Sequence, residues 1–175
     1  MFKKITLTTL LLGVSYAATA DWVGGISYHR ITEKSDGVKI GLGAMSGSLG
    51  HKILIQDQIY IIPEVRVGLG VQDDSFDIMG IDVGVEVDGF LSLSLKGQME
   101  VDNNLYAYIV PSYANFNVTT SVSGYGQDME VTEDSWHFGL GAGLGYRFNQ
   151  ERSVELAYEK FDDVEVMSAG LKFNF

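Results

Sequence analysis

Residues Trp136 to Phe148 alternate without a slip. Trp136, Phe138, Leu140, Ala142, Leu144, Tyr146 and Phe148 share one face, while His137, Gly139, Gly141, Gly143, Gly145 and Arg147 share the other. A two-residue period belongs to an extended strand, whose side chains point to opposite faces in turn; a helix would scatter it. The rhythm returns along the chain. Ile59, Ile61, Val65, Val67, Leu69 and Val71 oppose Tyr60, Glu64, Arg66, Gly68 and Gly70. Leu91, Leu93 and Leu95 oppose Ser92, Ser94 and Lys96, and Val154, Leu156 and Tyr158 oppose Glu155, Ala157 and Glu159. Met167, Ala169, Leu171, Phe173 and Phe175 oppose Ser168, Gly170, Lys172 and Asn174. After residue 20 there is no helical period and no unbroken apolar run of about 18 residues, so no transmembrane helix is expected.

Turn residues divide the chain into about eight strands, expected near 22–31, 38–50, 58–71, 81–101, 105–118, 135–148, 153–161 and 165–175. The fourth carries a break signal at Asp88-Gly89. Most reach or exceed the ~9–11 residues with which a tilted strand crosses a bilayer. Links through Asp57, Asn103 and Asn149 are short, whereas 72–80 and 119–134 read as long loops. Short turns at one end and long loops at the other are the plan of a transmembrane barrel.

Alternation alone leaves two barrels open, because a soluble lipocalin-like barrel turns the same apolar face inward. Three features favour the apolar face outward. The polar face is rich in Gly and Ser and poor in Lys and Glu, whereas a water-facing surface carries about 25–35% charged residues. Tyr28, Tyr60, Tyr106, Trp136, Tyr146, Phe148, Phe173 and Phe175 sit near strand ends, where interfacial aromatic girdles form. The chain also ends on Phe175, with alternating apolar residues before it. The fold class expected is all-β: a closed antiparallel up-and-down transmembrane β-barrel.

Met1 to Ala20 read as a cleavable secretory signal peptide: Lys3 and Lys4, an apolar run Ile5 to Val14, and Ala18-Thr19-Ala20. Residues 21–175 then form the barrel domain. Cleavage removes Lys3 and Lys4 and no acidic residue, taking the net charge from −11 to −13. That acidity argues against nucleic acid as a partner. The absence of Cys excludes disulfides, thiolate metal sites and a cysteine nucleophile, and an exported chain without Cys fits a bacterial envelope.

The last strand, Val166 to Phe175, resembles the C-terminal signature of bacterial outer-membrane barrels. With the signal peptide and the Gly-rich run Phe138 to Phe148, residues 21–175 resemble the OmpA-like eight-stranded outer-membrane barrel superfamily. The resemblance implies a bacterial outer-membrane location. It also implies that Leu171, Phe173 and Phe175 act as a signal read by the barrel-assembly machinery. No peptidoglycan-binding domain follows the terminal Phe, so tethering by that route is not implied.

An outward apolar face sends Glu64, Arg66, Lys96, Arg147, Glu155, Glu159 and Lys172 into the lumen, with Asp82 and Glu86 near its outer rim. Opposite charges in a narrow tube are expected to pair, since an isolated buried charge costs several kcal/mol. A barrel of about eight strands is just filled by its side chains, which argues against a general pore. Asp73, Asp74, Asp77, Asp128, Glu130, Glu133 and Asp134 form acidic outer loops, followed by Asp162, Asp163 and Glu165. Carboxylates of this kind suit divalent-cation bridging to lipopolysaccharide.

His29, His51 and His137 are the three histidines. His29 and His137 are read as wall residues, and no catalytic, cofactor-binding or metal site is assigned. The expected function is a monomeric, non-enzymatic outer-membrane barrel with a closed lumen and a structural or surface-interaction role, in contact with outer-membrane lipid and lipopolysaccharide. Alternatives are a narrow ion or small-solute channel, a lipid A-modifying enzyme, and a soluble ligand-binding barrel.

Overall fold

The computed structural model describes residues 21–35, 38–78, 81–124 and 127–175; the expected signal peptide lies outside them. Ten strands run in chain order: β1 (Trp22–Ser35), β2 (Val38–His51), β3 (Ile53–Gln56), β4 (Ile59–Gln72) and β5 (Asp74–Ile78). Then come β6 (Ile81–Glu100), β7 (Leu105–Gly124), β8 (Gln127–Arg147), β9 (Arg152–Phe161) and β10 (Val164–Asn174). Eight of them make the wall, in the order β1-β2-β4-β6-β7-β8-β9-β10, all antiparallel. β10 returns to β1 from Val23↔Asn174 to Glu33↔Val164, which closes the ring. The seam is finished by Trp22 and Phe175, whose backbones exchange bonds of 3.2 and 3.0 Å. Closure gives the wall's backbone polar groups partners inside the wall, the condition for crossing lipid with strands. β3 continues β2 past a break at Lys52, and β5 folds back on β6.

The outer surface carries the apolar residues that alternation grouped. Leu93, Leu140, Leu144, Leu156 and Met167 are 47–62% exposed, a band no soluble monomer leaves in water. The inside has two storeys. Ile31, Leu42, Val87, Phe90, Phe161 and Val166 form an apolar cluster toward the long-strand end. Charged and hydroxyl side chains fill the half toward the short turns.

Three expectations change. First, the long loops are mostly strand. β7 and β8 pair without interruption from Leu105↔Tyr146 to Gly124↔Gln127, so residues 119–124 and 127–134 are paired strand, and β5 lies within 72–80. Thr119, Thr120, Val122, Val131 and Thr132 suit strands, but this stretch projects past the wall, so neither face is forced to be apolar. β8 pairs with β9 only from Gly139 to Arg147. The segment 127–138 therefore stands above the wall as part of a β5-β6-β7-β8 sheet.

Second, Asp82 and Glu86 are exposed rather than luminal. The register of β6 shifts between Val87 and Gly89, as the Asp88-Gly89 break signal suggested. One extra residue reverses the parity of everything above it. Val85 and Val87 point in above the bulge, while Phe90, Ser92 and Lys96 point in below it.

Third, Tyr106 is not in a girdle. It is 3% exposed inside the lumen, and its ring lies against Gly145, where an added Cβ would stand 2.0 Å from Cζ. Gly143 receives Tyr108 in the same way, at 2.3 Å. Gly145 and Gly143 of β8 are thus sockets for Tyr106 and Tyr108 of β7, while Gly139 receives Phe161 of β9. Gly145→Ala is expected to cost about 1–3 kcal/mol through overpacking, read by urea titration of the reconstituted protein. A neutral result would contradict the socket.

Candidate functional site: the charged lumen and the rim of β8

The lower lumen holds an ion-pair ladder whose charged groups come from four strands, β4, β6, β9 and β10. Arg66 of β4 grips Glu159 of β9 with two bonds, Nη1–Oε1 at 2.6 Å and Nη2–Oε2 at 2.8 Å. Ser112 of β7 donates to Glu159 at 2.9 Å and accepts from Arg66 at 3.0 Å. Lys96 of β6 donates to both oxygens of Glu155, at 2.9 and 2.8 Å, and lies 4.4 Å from the centre of the Tyr108 ring. Tyr106 adds a hydroxyl at 3.0 Å to Glu155. Lys172 of β10 pairs with Glu64 and donates to Ser48 at 2.8 Å. Glu64 also lies 3.5 Å from Arg66 Nε, which links the Lys172 pair to the Arg66 pair. Each carboxylate is 7% exposed or less. Buried charges so bonded have little freedom, since breaking one pair strands the other charge.

At the short-turn end Arg147 donates to Glu100 at 2.7 and 3.0 Å, and Lys52 joins at 3.5 Å while lying 3.8 Å from the centre of the Tyr60 ring. Above the ladder His29 and Ser46 share a hydrogen bond of 2.7 Å. Cavities of about 10, 20 and 10 Å³ lie among the luminal side chains. Each has room for about one water.

A second group sits on the rim. Ser135 and His137 share the inner face of β8, and Ser135 Oγ is 2.6 Å from His137 Nε2. The other ring nitrogen, Nδ1, is 2.9 Å from Asp162 Oδ2, in the β9–β10 turn. Asp162 holds φ at 46°, the left-handed region that Asp tolerates better than most residues.

Of the residues assigned inward, Glu64, Arg66, Lys96, Glu155, Glu159 and Lys172 lie buried together, and Arg147 is half-buried at the lower mouth. Leu171, Phe173 and Phe175 face outward, 39–52% exposed. Glu130, Glu133 and Asp134 are exposed along β8, on a strand rather than a loop. Asp73 is exposed, and Asp74 ties β5 to β2 by accepting from Gly41 N–H at 2.8 Å. Asp77 and Asp128 lie on β5 and β8. His29 and His137 both point inward.

Ser112, Tyr106 and Tyr108 escaped sequence reasoning because β7 alternates Tyr106, Tyr108 and Val110 with Ala107 and Ile109, offering no polar contrast. Glu100 was findable, two steps beyond Gln98 and four beyond Lys96 on the same face. Asp162 reads in the sequence only as a charge; no local pattern joins it to His137, 25 residues away.

Among solved structures the fold is similar to that of Ail, the attachment invasion locus protein of Yersinia pestis. The TM-score is 0.59 at 18% identity, covering 89% of this chain and 99% of that one. Neisserial surface protein A gives 0.59 at 13% identity, covering 88% and 97%. The N-terminal barrel domain of Pseudomonas aeruginosa OprF gives 0.50 at 14%, covering 86% and 97%. A search of curated proteins finds no match. The sequence matches the outer membrane protein beta-barrel domain family over residues 5–175. The apolar exterior, the charged interior and that match agree: this chain belongs to the outer membrane protein beta-barrel domain family.

Proposed function

We propose that the protein is a monomeric outer-membrane barrel with a lumen sealed by its own ion pairs, working through the β5-β6-β7-β8 sheet that it raises above the membrane. One observation carries this reading: β8 has 21 residues but pairs with β9 only along Gly139–Arg147. The wall supplies anchorage, and a closed wall needs no partner strand. The ladder fills the tube, so contact at the surface is left to the projecting sheet.

The charge of that sheet selects its surroundings. No Lys or Arg lies between Arg66 and Lys96 or between Lys96 and Arg147, whereas Asp73, Asp74, Asp88, Glu130, Glu133 and Asp134 do. One Ail structure holds the heparin analogue sucrose octasulfate. A polyanion has no cationic seat on the sheet here. Divalent cations bridging to lipopolysaccharide phosphates suit these carboxylates better.

The test is thermal unfolding of the protein in lipopolysaccharide-containing vesicles, with and without magnesium. Magnesium is expected to raise the midpoint for the wild type. The rise should vanish when Glu130, Glu133 and Asp134 become Gln, Gln and Asn, or when a two-residue turn replaces 119–134. An undiminished rise in both variants would refute the bridge.

A further inference from the structure

We propose that Ser135, His137 and Asp162 form a serine-esterase triad at the rim, acting on carboxylic esters whose acyl chain is apolar. This goes beyond the surface role above. The three groups stand in the order that activates a hydroxyl: Oγ against Nε2 at 2.6 Å, and Nδ1 against a carboxylate at 2.9 Å. They come from two places, one strand and one turn, which the barrel brings together across β8 and β9.

The site is open on one side. The last pair of β8 with β9 is Gly139↔Phe161, so above it β8 has no neighbour there. Alternate backbone N–H groups of this edge point into the notch, away from β7. In the proposed site the oxyanion is assigned to one of these N–H groups. Below the imidazole lie Phe116, whose ring centre is 6.3 Å from that of His137, and Phe161, packed edge-on against Phe116 at 5.5 Å. On the outer face of β8 the notch is flanked by Trp136 and Phe138, 44% and 64% exposed. The cavity beside the two phenylalanines holds only about 10 Å³, too small for a chain. An ester whose chain stays against Trp136 and Phe138 presents its carbonyl through the notch to Ser135.

The chemistry closes on itself. Ser135 Oγ attacks the carbonyl carbon and its proton passes to His137 Nε2. The tetrahedral oxyanion collapses, the alcohol oxygen leaves with the proton from His137, and an acyl-Ser135 ester remains. Water then adds with His137 as base, releasing the carboxylic acid and restoring the serine. Asp162 touches no reacting atom. It is a positioning residue that holds the tautomer with Nε2 free to accept.

The experiment treats the folded protein in detergent micelles with a fluorophosphonate probe, then with p-nitrophenyl octanoate and acetate. Gel mobility of unheated samples verifies the barrel in each variant. The wild type is expected to carry one adduct, at Ser135, and to turn over octanoate faster than acetate. Ser135→Ala should abolish both, and His137→Ala should slow labelling by about 100-fold or more. Asp162→Asn should slow it similarly while Asp162→Glu restores it, a rescue that loss of a rim contact alone would not produce. No adduct at Ser135 in the folded wild type would overturn the triad, as would labelling at an unchanged rate in His137→Ala. An acetate rate equal to that on octanoate would overturn the apolar-chain assignment.

Discussion

Glu159→Ala is expected to destabilise the barrel by about 3–5 kcal/mol, the largest single effect in the lumen. The loss comes from what remains. Arg66 would keep a guanidinium 8% exposed, with Ser112 as its hydroxyl partner and Glu64 at 3.5 Å already committed to Lys172. Replacing both partners by apolar residues, Arg66→Met with Glu159→Leu, should recover most of the loss, because no charge is then stranded. Urea titration in lipid vesicles, followed by unheated gel mobility, measures both. If Glu159→Ala costs under about 1 kcal/mol, the lower lumen is wet and its pairs behave like surface pairs.

Leu156→Arg tests the opposite face. Leu156 lies halfway along the ten-residue β9, 61% exposed, opposite Leu144 of β8. In a bilayer a charge there is expected to cost about 2–4 kcal/mol. Met129→Arg, 67% exposed on the projecting part of β8, should stay within about 0.5 kcal/mol. In a soluble barrel of the same topology the two would cost alike. The difference between the positions therefore reports lipid directly, measured by the same titration.

How far the sequence reveals this architecture depends on what each face touches. Where one side meets lipid and the other meets the ladder, alternation is forced, and Phe138 to Phe148 or Val154 to Tyr158 can be read by eye. Where the sheet rises past the wall, the constraint lapses, and residues 119–124 and 127–134 look like a loop although they are paired strand. Where both sides are apolar, as around Tyr106 and Tyr108, parity is present but invisible. A bulge defeats alternation differently. The extra residue at Asp88 shifts the phase, so Asp82 and Glu86 land outside while Lys96, below the bulge, stays in.

The candidate sites divide the same way. Parity grouped the carboxylates and cations of the ladder on one side, but not who pairs with whom. Arg66 reaches Glu159, 93 residues on, because strand order and stagger set them at one height. The rim triad depends on such a meeting too. Ser135 and His137 are two apart on one strand, but Asp162 arrives only through the end of β9.

Conductance across a planar lipid bilayer, recorded after the purified barrel has inserted, tests the sealed, charge-filled lumen most directly. With the lumen sealed by its ion pairs as proposed, the wild type is expected to give no discrete current steps over repeated insertions. Stable single-channel steps that disappear when Arg147 is neutralised would contradict it and make the lumen a pore.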